Sequence, residues 1–244
     1  MISANGFGLP EQRQAQLYIQ PHDGMGDHLI CNALYRKLAT LHNHISLFVK
    51  PSLCESVGFM LRDVGNIEIV RRAEWNTIPS DRPLLGLGLY EDGPVRWGWV
   101  MGRHNCTWDH TFYWQCGFDA SLKWDGFKME RDLEREKAFM ESLKLGDEPY
   151  LVFMSRGSDD TERIRTADMG TRLRKIEMKP TLTQNIFDWI SVLEGAKEIH
   201  TIDSSLKWLA EFFPLKAKLF YHTLWKPRQN PPNPHGTRKE WVIR

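Results

Sequence analysis

Residues 17–49 read LYIQPHDGMGDHLICNALYRKLATLHNHISLFV, and segments of different period lie end to end in them. Leu17 to Gln20 is a short apolar run of strand length. PHDGMGD, residues 21–27, is rich in turn formers. In HLICNALYRKLATL the apolar residues Ile30, Ala33, Leu34, Leu38 and Leu41 recur at spacings of three and four, which predicts a helix with one buried stripe. Ile45 to Val49 is strand-like again, Leu53 to Leu61 reads as helix, and Ile67 to Val70 is a compact β-branched strand. Strand, helix, strand, helix, strand is the mark of a parallel α/β sheet.

The same alternation restarts further along. Tyr150 to Met154 reads as a buried strand, Arg174 to Met178 as a weaker one, and Gln184 to Gly195 as a helix with Ile186, Ile190 and Leu193 on one face. Ile199 to Asp203 is a strand that runs into SSLKWLAEFF, where Leu206, Leu209, Ala210 and Phe213 repeat at helical spacing, and Lys218 to Tyr221 supplies one more strand. Between the halves, residues 71–125 interleave Gly86, Gly88, Gly93, Gly98 and Gly102 with Trp97, Trp99, Trp108, Trp114 and Trp124; loop with one helix is expected there. ERDLEREKAFMESLKL, residues 130–145, reads as a connecting helix with Leu133, Phe139, Met140 and Leu143 inward, ended by Gly146. The expected organisation is an α/β domain over 1–147, a second over 148–225, and a basic tail over 226–244 that four prolines keep extended, with Trp241, Val242 and Ile243 as an anchor.

Composition fits that plan. The chain has 244 residues, 41% hydrophobic and 26% charged, with ten Trp, which excludes disordered and fibrous classes. No stretch approaches the roughly 20 apolar residues of a membrane span, and the polar start, MISANGFGLPEQRQAQ, lacks a signal-peptide layout, so a cytoplasmic location is expected. Cys31, Cys54, Cys106 and Cys116 form no CxxC pair, as suits reduced thiols. With 32 Lys plus Arg against 31 Asp plus Glu, the net charge of +1 excludes a protein that coats nucleic acid by bulk charge.

Open α/β sheets bind ligands outside the carboxyl ends of their strands, which singles out three loops. In the first, His22 to His28, Gly24 and Gly26 allow close backbone approach to a ligand, and Asp27 either faces the cleft or only caps the helix. It is neither a dinucleotide fingerprint nor a P-loop, since no third glycine and no Gly-Lys-Ser/Thr follow. In the second, Met154 to Asp160, Arg156 with Ser155 and Ser158 suits a diphosphate; a solvated turn is the alternative. The Arg163, Arg165, Arg172, Arg174 and Lys175 run reads as a surface face. In the third, Thr201 to Leu206, the residues Asp203, Ser204 and Ser205 cap a helix, present polar groups to a sugar or phosphate, or do both.

Other candidates compete. His104, Cys106, His110 and Cys116 are admissible zinc ligands, but their spacing matches no standard site and aromatics separate them, so no metal is expected; nor is one expected at His22, Asp23, Asp27 and His28. Trp189 and Trp208 suit a core. Trp97, Trp99, Trp108 and Trp124 suit stacking on the sugar rings or bases of an acceptor.

GMGDHLICNALYRKLA and EIHTIDSSLKWLAEFF resemble the ADP-heptose:lipopolysaccharide heptosyltransferases of glycosyltransferase family 9 and their viral and bacterial relatives. The resemblance implies a GT-B-like fold of two facing Rossmann-like domains with parallel sheets, the acceptor held by the first and the nucleotide sugar mainly by the second. It implies a hexosyl- or heptosyltransferase that uses a nucleotide-diphosphate sugar as co-substrate, without metal or other cofactor. Asp27 matches the family's general base, and Asp203 and Ser204 match its donor-side Asp-Ser; Ser205 stands where the family has Gly, and Trp208 where it has His. The acceptor class is a glycan, a lipid-linked or lipopolysaccharide-like sugar, or, in a phage-type DNA glycosyltransferase, a hydroxymethylated pyrimidine flipped from the duplex. A non-catalytic nucleotide or sugar-phosphate binder would use the same loops.

Overall fold

The computed structural model describes residues 14–72, 84–90, 93–94, 107–157, 163–179, 181–223 and 236–244. Chain contacts divide it into two units, Met1–Glu130 and Arg131–Arg244.

In the first unit, β1 (Gln14–Gln20), β2 (His42–Val49), β3 (Ile67–Arg71) and β4 (Leu84–Gly86) form a parallel sheet in the order β3-β2-β1-β4. One row of apolar residues, Ile69, Leu47, Ile19 and Leu85, crosses all four strands in register. The helix expected after β1 is two, α1 (Met25–Ile30) and α2 (Asn32–Leu41), meeting at Cys31 with φ −81° and ψ 0°. Of their predicted stripe, Ile30, Ala33, Leu34 and Leu38 face the core with Leu29 and Tyr35, while Leu41 is half-buried, each full burial contributing roughly 1.5–3 kcal/mol for the larger side chains. A 3-10 turn at Pro51–Leu53 and α3 (Cys54–Met60) lead from β2 to β3.

β5 (Leu89–Tyr90) and β6 (Gly93–Pro94) form a small antiparallel pair. Beyond it the expected single helix is again two among the described residues, α4 (Trp108–Gln115) and α5 (Leu122–Asp125). Phe112 and Tyr113 of α4 are fully buried, and Tyr113 donates to the Ile30 carbonyl at 2.7 Å. A buried ion pair between Asp109 and Lys123 joins α4 to α5. Asn32 fixes the segment after α5 by exchanging two 3.0 Å hydrogen bonds with the Lys128 backbone.

The second unit begins with α6 (Leu133–Ser142), followed by β7 (Tyr150–Phe153), β8 (Arg174–Glu177), a 3-10 turn at Ile186–Trp189, α7 (Ile190–Gly195), β9 (Glu198–Thr201), α8 (Ser205–Phe212), β10 (Lys218–Tyr221) and β11 (Val242–Ile243). Its parallel sheet runs β11-β10-β9-β7-β8, and Leu219, Ile199, Val152 and Ile176 align across four of the strands. Trp189 and Trp208 are buried here, as core residues.

Two boundaries differ from the sequence expectation. α6, expected to close the first domain before residue 147, lies in the unit that begins at Arg131. Arg131 grips Glu136 and Glu194, Arg135 grips Asp188 at 2.6 Å, and Phe139 meets the Trp189 ring edge-on at 5.0 Å, while Leu133, expected inward, is 63% exposed. The tail, set apart from residue 226 in the sequence expectation, belongs to the second unit, and its expected anchor, Trp241 to Ile243, docks there with Val242 and Ile243 as a strand of the second sheet. Lys239 Nζ donates to the Ala210 and Phe213 carbonyls at the C-terminal end of α8, groups that a helix leaves unpaired, and Trp241 Nε1 donates to Glu211 at 2.6 Å.

Candidate functional site

Strand order marks the candidate ligand sites. In a sheet of order β3-β2-β1-β4 the chain reverses its direction of travel between β1 and β4; in β11-β10-β9-β7-β8 it reverses between β7 and β9. A reversal leaves the loops at the carboxyl ends diverging to opposite faces, which opens a crevice. The loop after β1 stands at the first reversal. The loops after β7 and β9 flank the second, and they touch: Ser205 Oγ lies 4.0 Å from Met154 Sδ.

At the first crevice Asp27 is the third residue of α1. Its Oδ2 accepts from the Gly24 backbone N–H at 3.2 Å and sits 2.7 Å from His22 Nδ1; its Oδ1 accepts from Trp108 Nε1 at 3.0 Å. So Asp27 does cap α1, and in addition it joins two aromatic rings from distant parts of the chain. The ring of His22 meets Trp108 edge-on at 5.0 Å, and Trp108 meets Phe112 the same way at 4.8 Å. Two glycines make room. A Cβ on Gly24 would stand 2.7 Å from Asp27 Oδ2; Gly88, at φ +73°, would place one 2.8 Å from Phe112 and 3.1 Å from Trp108. Gly26 lies in the first turn of α1, half-buried.

Asp23, in the same loop, pairs with Arg72 and, at 3.3 Å, with Lys50, tying the ends of three strands together. His28 turns away from this group. It is buried with Nδ1 3.1 Å from the Tyr35 hydroxyl, and burial lowers its pKa to about 4 against the upward pull of Asp27. Of the aromatic acceptor candidates, Trp108 belongs to this site as a hydrogen-bond donor to Asp27, Trp124 sits in α5 with the Lys123 ammonium 4.3 Å over its ring, and Trp97 lies outside the described residues.

At the second crevice Ser155 is not a simple phosphate donor, because its hydroxyl is given to Glu177 at the end of β8. Burial alone would raise the Glu177 pKa, but hydrogen bonds from Ser155 and Lys179 hold it below its ordinary value. Arg156 is exposed at the strand end, and Ser158 lies outside the described residues. Arg163, Arg165, Arg172 and Arg174 are exposed, as a surface face requires.

In the loop after β9, Asp203 does not cap α8. Its Oδ1 is 2.5 Å from Lys207 Nζ, one turn on; the Lys207 side chain is 4% exposed and that of Asp203 42%. Ser204 is the N-cap residue, yet its hydroxyl bonds Thr201 Oγ1 at 2.7 Å and no side chain caps the helix. Helix amides without a side-chain cap, beside a buried ammonium, make a setting for an anion. Trp208 is in the core with Lys207 4.5 Å over its ring.

Among the described residues no group of three or more His, Cys, Asp and Glu is placed to hold a metal ion. His110 is half-exposed, the Cys116 thiol is pushed up to about 12 by burial, and His104 and Cys106 lie outside the described residues. Among the described residues no helix is long and apolar enough to cross a membrane.

Sequence reasoning did not single out Lys207 or Glu177, and it weighed His22 only within its loop and as a cation ligand, not as the partner of Asp27. Lys207 was legible as the i+4 partner of Asp203. The contacts of His22 and Glu177 were not, since the first depends on the path of a turn and the second on a register between strands 22 residues apart.

Among solved structures, the glycosyl transferase family 9 protein from Veillonella parvula DSM 2008 superimposes over 96% of this chain and 87% of its own, with a TM-score of 0.54 and 12% identity. The chain has the fold of a family 9 glycosyltransferase. The iron-containing dodecameric glycosyltransferase TibC from enterotoxigenic E. coli H10407 superimposes over 92% of this chain, with a TM-score of 0.50 and 12% identity, and this chain spans 63% of its length. No protein-family model and no curated protein matches the sequence. The GT-B-like expectation of two Rossmann-like units with parallel sheets agrees with this fold.

Proposed function

We propose that the chain is a glycosyltransferase that moves a sugar from a nucleotide-diphosphate sugar to an acceptor hydroxyl. The observation that carries the reading is the carboxylate of Asp27, held from three sides by His22, Gly24 and Trp108 at the reversal point of the first sheet. A cap needs one of those contacts; the other two fix a proton-accepting centre in orientation, as general-base catalysis demands. The second unit supplies what a departing diphosphate needs: amides of α8 without a side-chain cap, the Ser204 and Ser205 hydroxyls, the buried Lys207, and Arg156. In the transfer the acceptor oxygen attacks the anomeric carbon as its proton is removed at the Asp27 centre. The bond from that carbon to the diphosphate breaks, and the electron pair leaves on the nucleotide. Cations and amides offset the charge that develops there, so the proposed reaction is metal-independent and survives a chelator. The proposed acceptor is a glycan or lipid-linked sugar.

One observation favours a second reading. Both oxygens of Asp27 are already engaged within the protein, as they would be in a purely structural cap, and a non-catalytic binder of a nucleotide or sugar phosphate would need no more. Nucleotide release from ADP-, GDP-, UDP- and CDP-sugars, compared between wild type and Asp27→Asn, separates the two. Loss of turnover with donor binding retained supports the transferase. Undiminished turnover in Asp27→Asn removes Asp27 from the reaction, and binding without any turnover favours the binder.

A further inference from the structure

Asp27 and His22 do not present themselves equally to a substrate. The Asp27 side chain is 15% exposed, and three nitrogen groups already converge on its two oxygens, from His22 at 2.7 Å, Trp108 at 3.0 Å and Gly24 at 3.2 Å. An acceptor hydroxyl would have to approach between them. The His22 side chain is 39% exposed and follows the last residue of β1 by two positions, so it is the more open half of the pair at the crevice. With the carboxylate ionised, Nδ1 carries the hydrogen that bridges to Asp27, and the remaining lone pair of the ring lies on Nε2. The Trp108 edge fixes the ring plane at an interplanar angle of 79° while its indole N–H holds the other oxygen of the same carboxylate. Carboxylate, imidazole and indole thus lock one another in a single arrangement.

We infer that His22 is the group that takes the acceptor's proton and that Asp27 is its positioning residue. This rests on the glycosyltransferase reading and assigns the atom at which its proton transfer occurs. The acceptor O–H proton passes to His22 Nε2 as the oxygen forms its bond to the anomeric carbon. The bond from that carbon to the diphosphate breaks, the pair stays on the nucleoside diphosphate, and the imidazolium, stabilised by Asp27, returns its proton to water. The titratable groups around the ring are Asp27 and the buried, neutral His28 on α1 and Asp23 beside it, the last held by Lys50 and Arg72. From α4 comes the uncharged edge of Trp108, with Asp109 behind it turned to Lys123.

The test uses the full chain and whichever nucleotide sugar the release panel shows to turn over. His22→Gln is expected to lower kcat by roughly 100- to 10,000-fold while the calorimetric Kd for the donor stays within about twofold, which also shows that the variant is folded. In His22→Ala, added imidazole should restore part of the rate. Near-normal turnover in His22→Gln, with Asp27→Asn inactive, overturns the inference and leaves Asp27 itself as the base. If wild type neither binds nor consumes any nucleotide sugar, the glycosyltransferase reading fails, and this assignment fails with it by a result distinct from the former.

Discussion

Acid should loosen the first unit through one side chain. His28 is 1% exposed, packed against Tyr35, and burial lowers its pKa from 6.5 to about 4, with Asp27 opposing and His22 reinforcing the fall. Above about pH 6.5 the ring is neutral whether the chain is folded or not. As the pH falls, the unfolded chain takes up the proton first, so folding loses stability until about pH 4, where both states are protonated. A difference between 6.5 and about 4 at 1.36 kcal/mol for each pH unit amounts to about 3 kcal/mol, a substantial part of the roughly 5–15 kcal/mol that holds a protein folded. His42 and His200 are lowered by burial in the same direction, so the wild-type curve alone does not isolate the effect. The comparison with His28→Gln does, because the amide does not titrate. Urea unfolding from pH 8 to pH 4, read by hydrogen exchange at the amides of α1 and α2, should show the wild-type advantage over the variant shrinking by about 3 kcal/mol across that window. Parallel curves would mean that His28 is not held neutral, and would refute the reasoning.

Two more outcomes follow from contacts at the crevices. Gly24→Ala introduces a Cβ 2.7 Å from Asp27 Oδ2 on a backbone, φ −93° and ψ 145°, that alanine tolerates. Turnover should fall roughly 10- to 100-fold from the displaced carboxylate with a loss of stability of about 1 kcal/mol or less, and unchanged kinetics would show that the carboxylate position does not matter. Lys207→Met keeps the buried stem and removes the ammonium. Calorimetry with a nucleoside diphosphate should show affinity weakened by about tenfold, as for the loss of one charge-assisted contact; an unchanged Kd would place the diphosphate elsewhere.

The alternation of strand and helix, the buried stripe of α1 and α2, and the three strand-end loops were legible in the sequence because each depends on local periodicity and turn chemistry. What escaped depends on partners far along the chain. The stripe of α6 shows that the helix packs, but not on what; Arg131 meets Glu194 across 63 residues, and that contact places the helix in the second unit. β11 is two residues long, too short for any period to announce. The Trp108 indole was assigned to an acceptor because nothing local shows that its partner is Asp27, 81 residues earlier. The split of the helix at Cys31 escaped because the apolar spacing runs through it unbroken.

α8 is closed by the chain at one end, through Lys239 and Trp241, and lacks a side-chain cap at the other, at Ser204. Its eight residues make a rod about 12 Å long. A diphosphate seated at the Ser204 end would therefore stabilise the same helix that Lys239, in the segment leading into β11, holds at the Phe213 end. Linkage makes the benefit mutual: donor binding should slow protease cutting around residues 236–244, and loosening that strand should weaken the grip on the donor by the same factor, with neither partner touching the other.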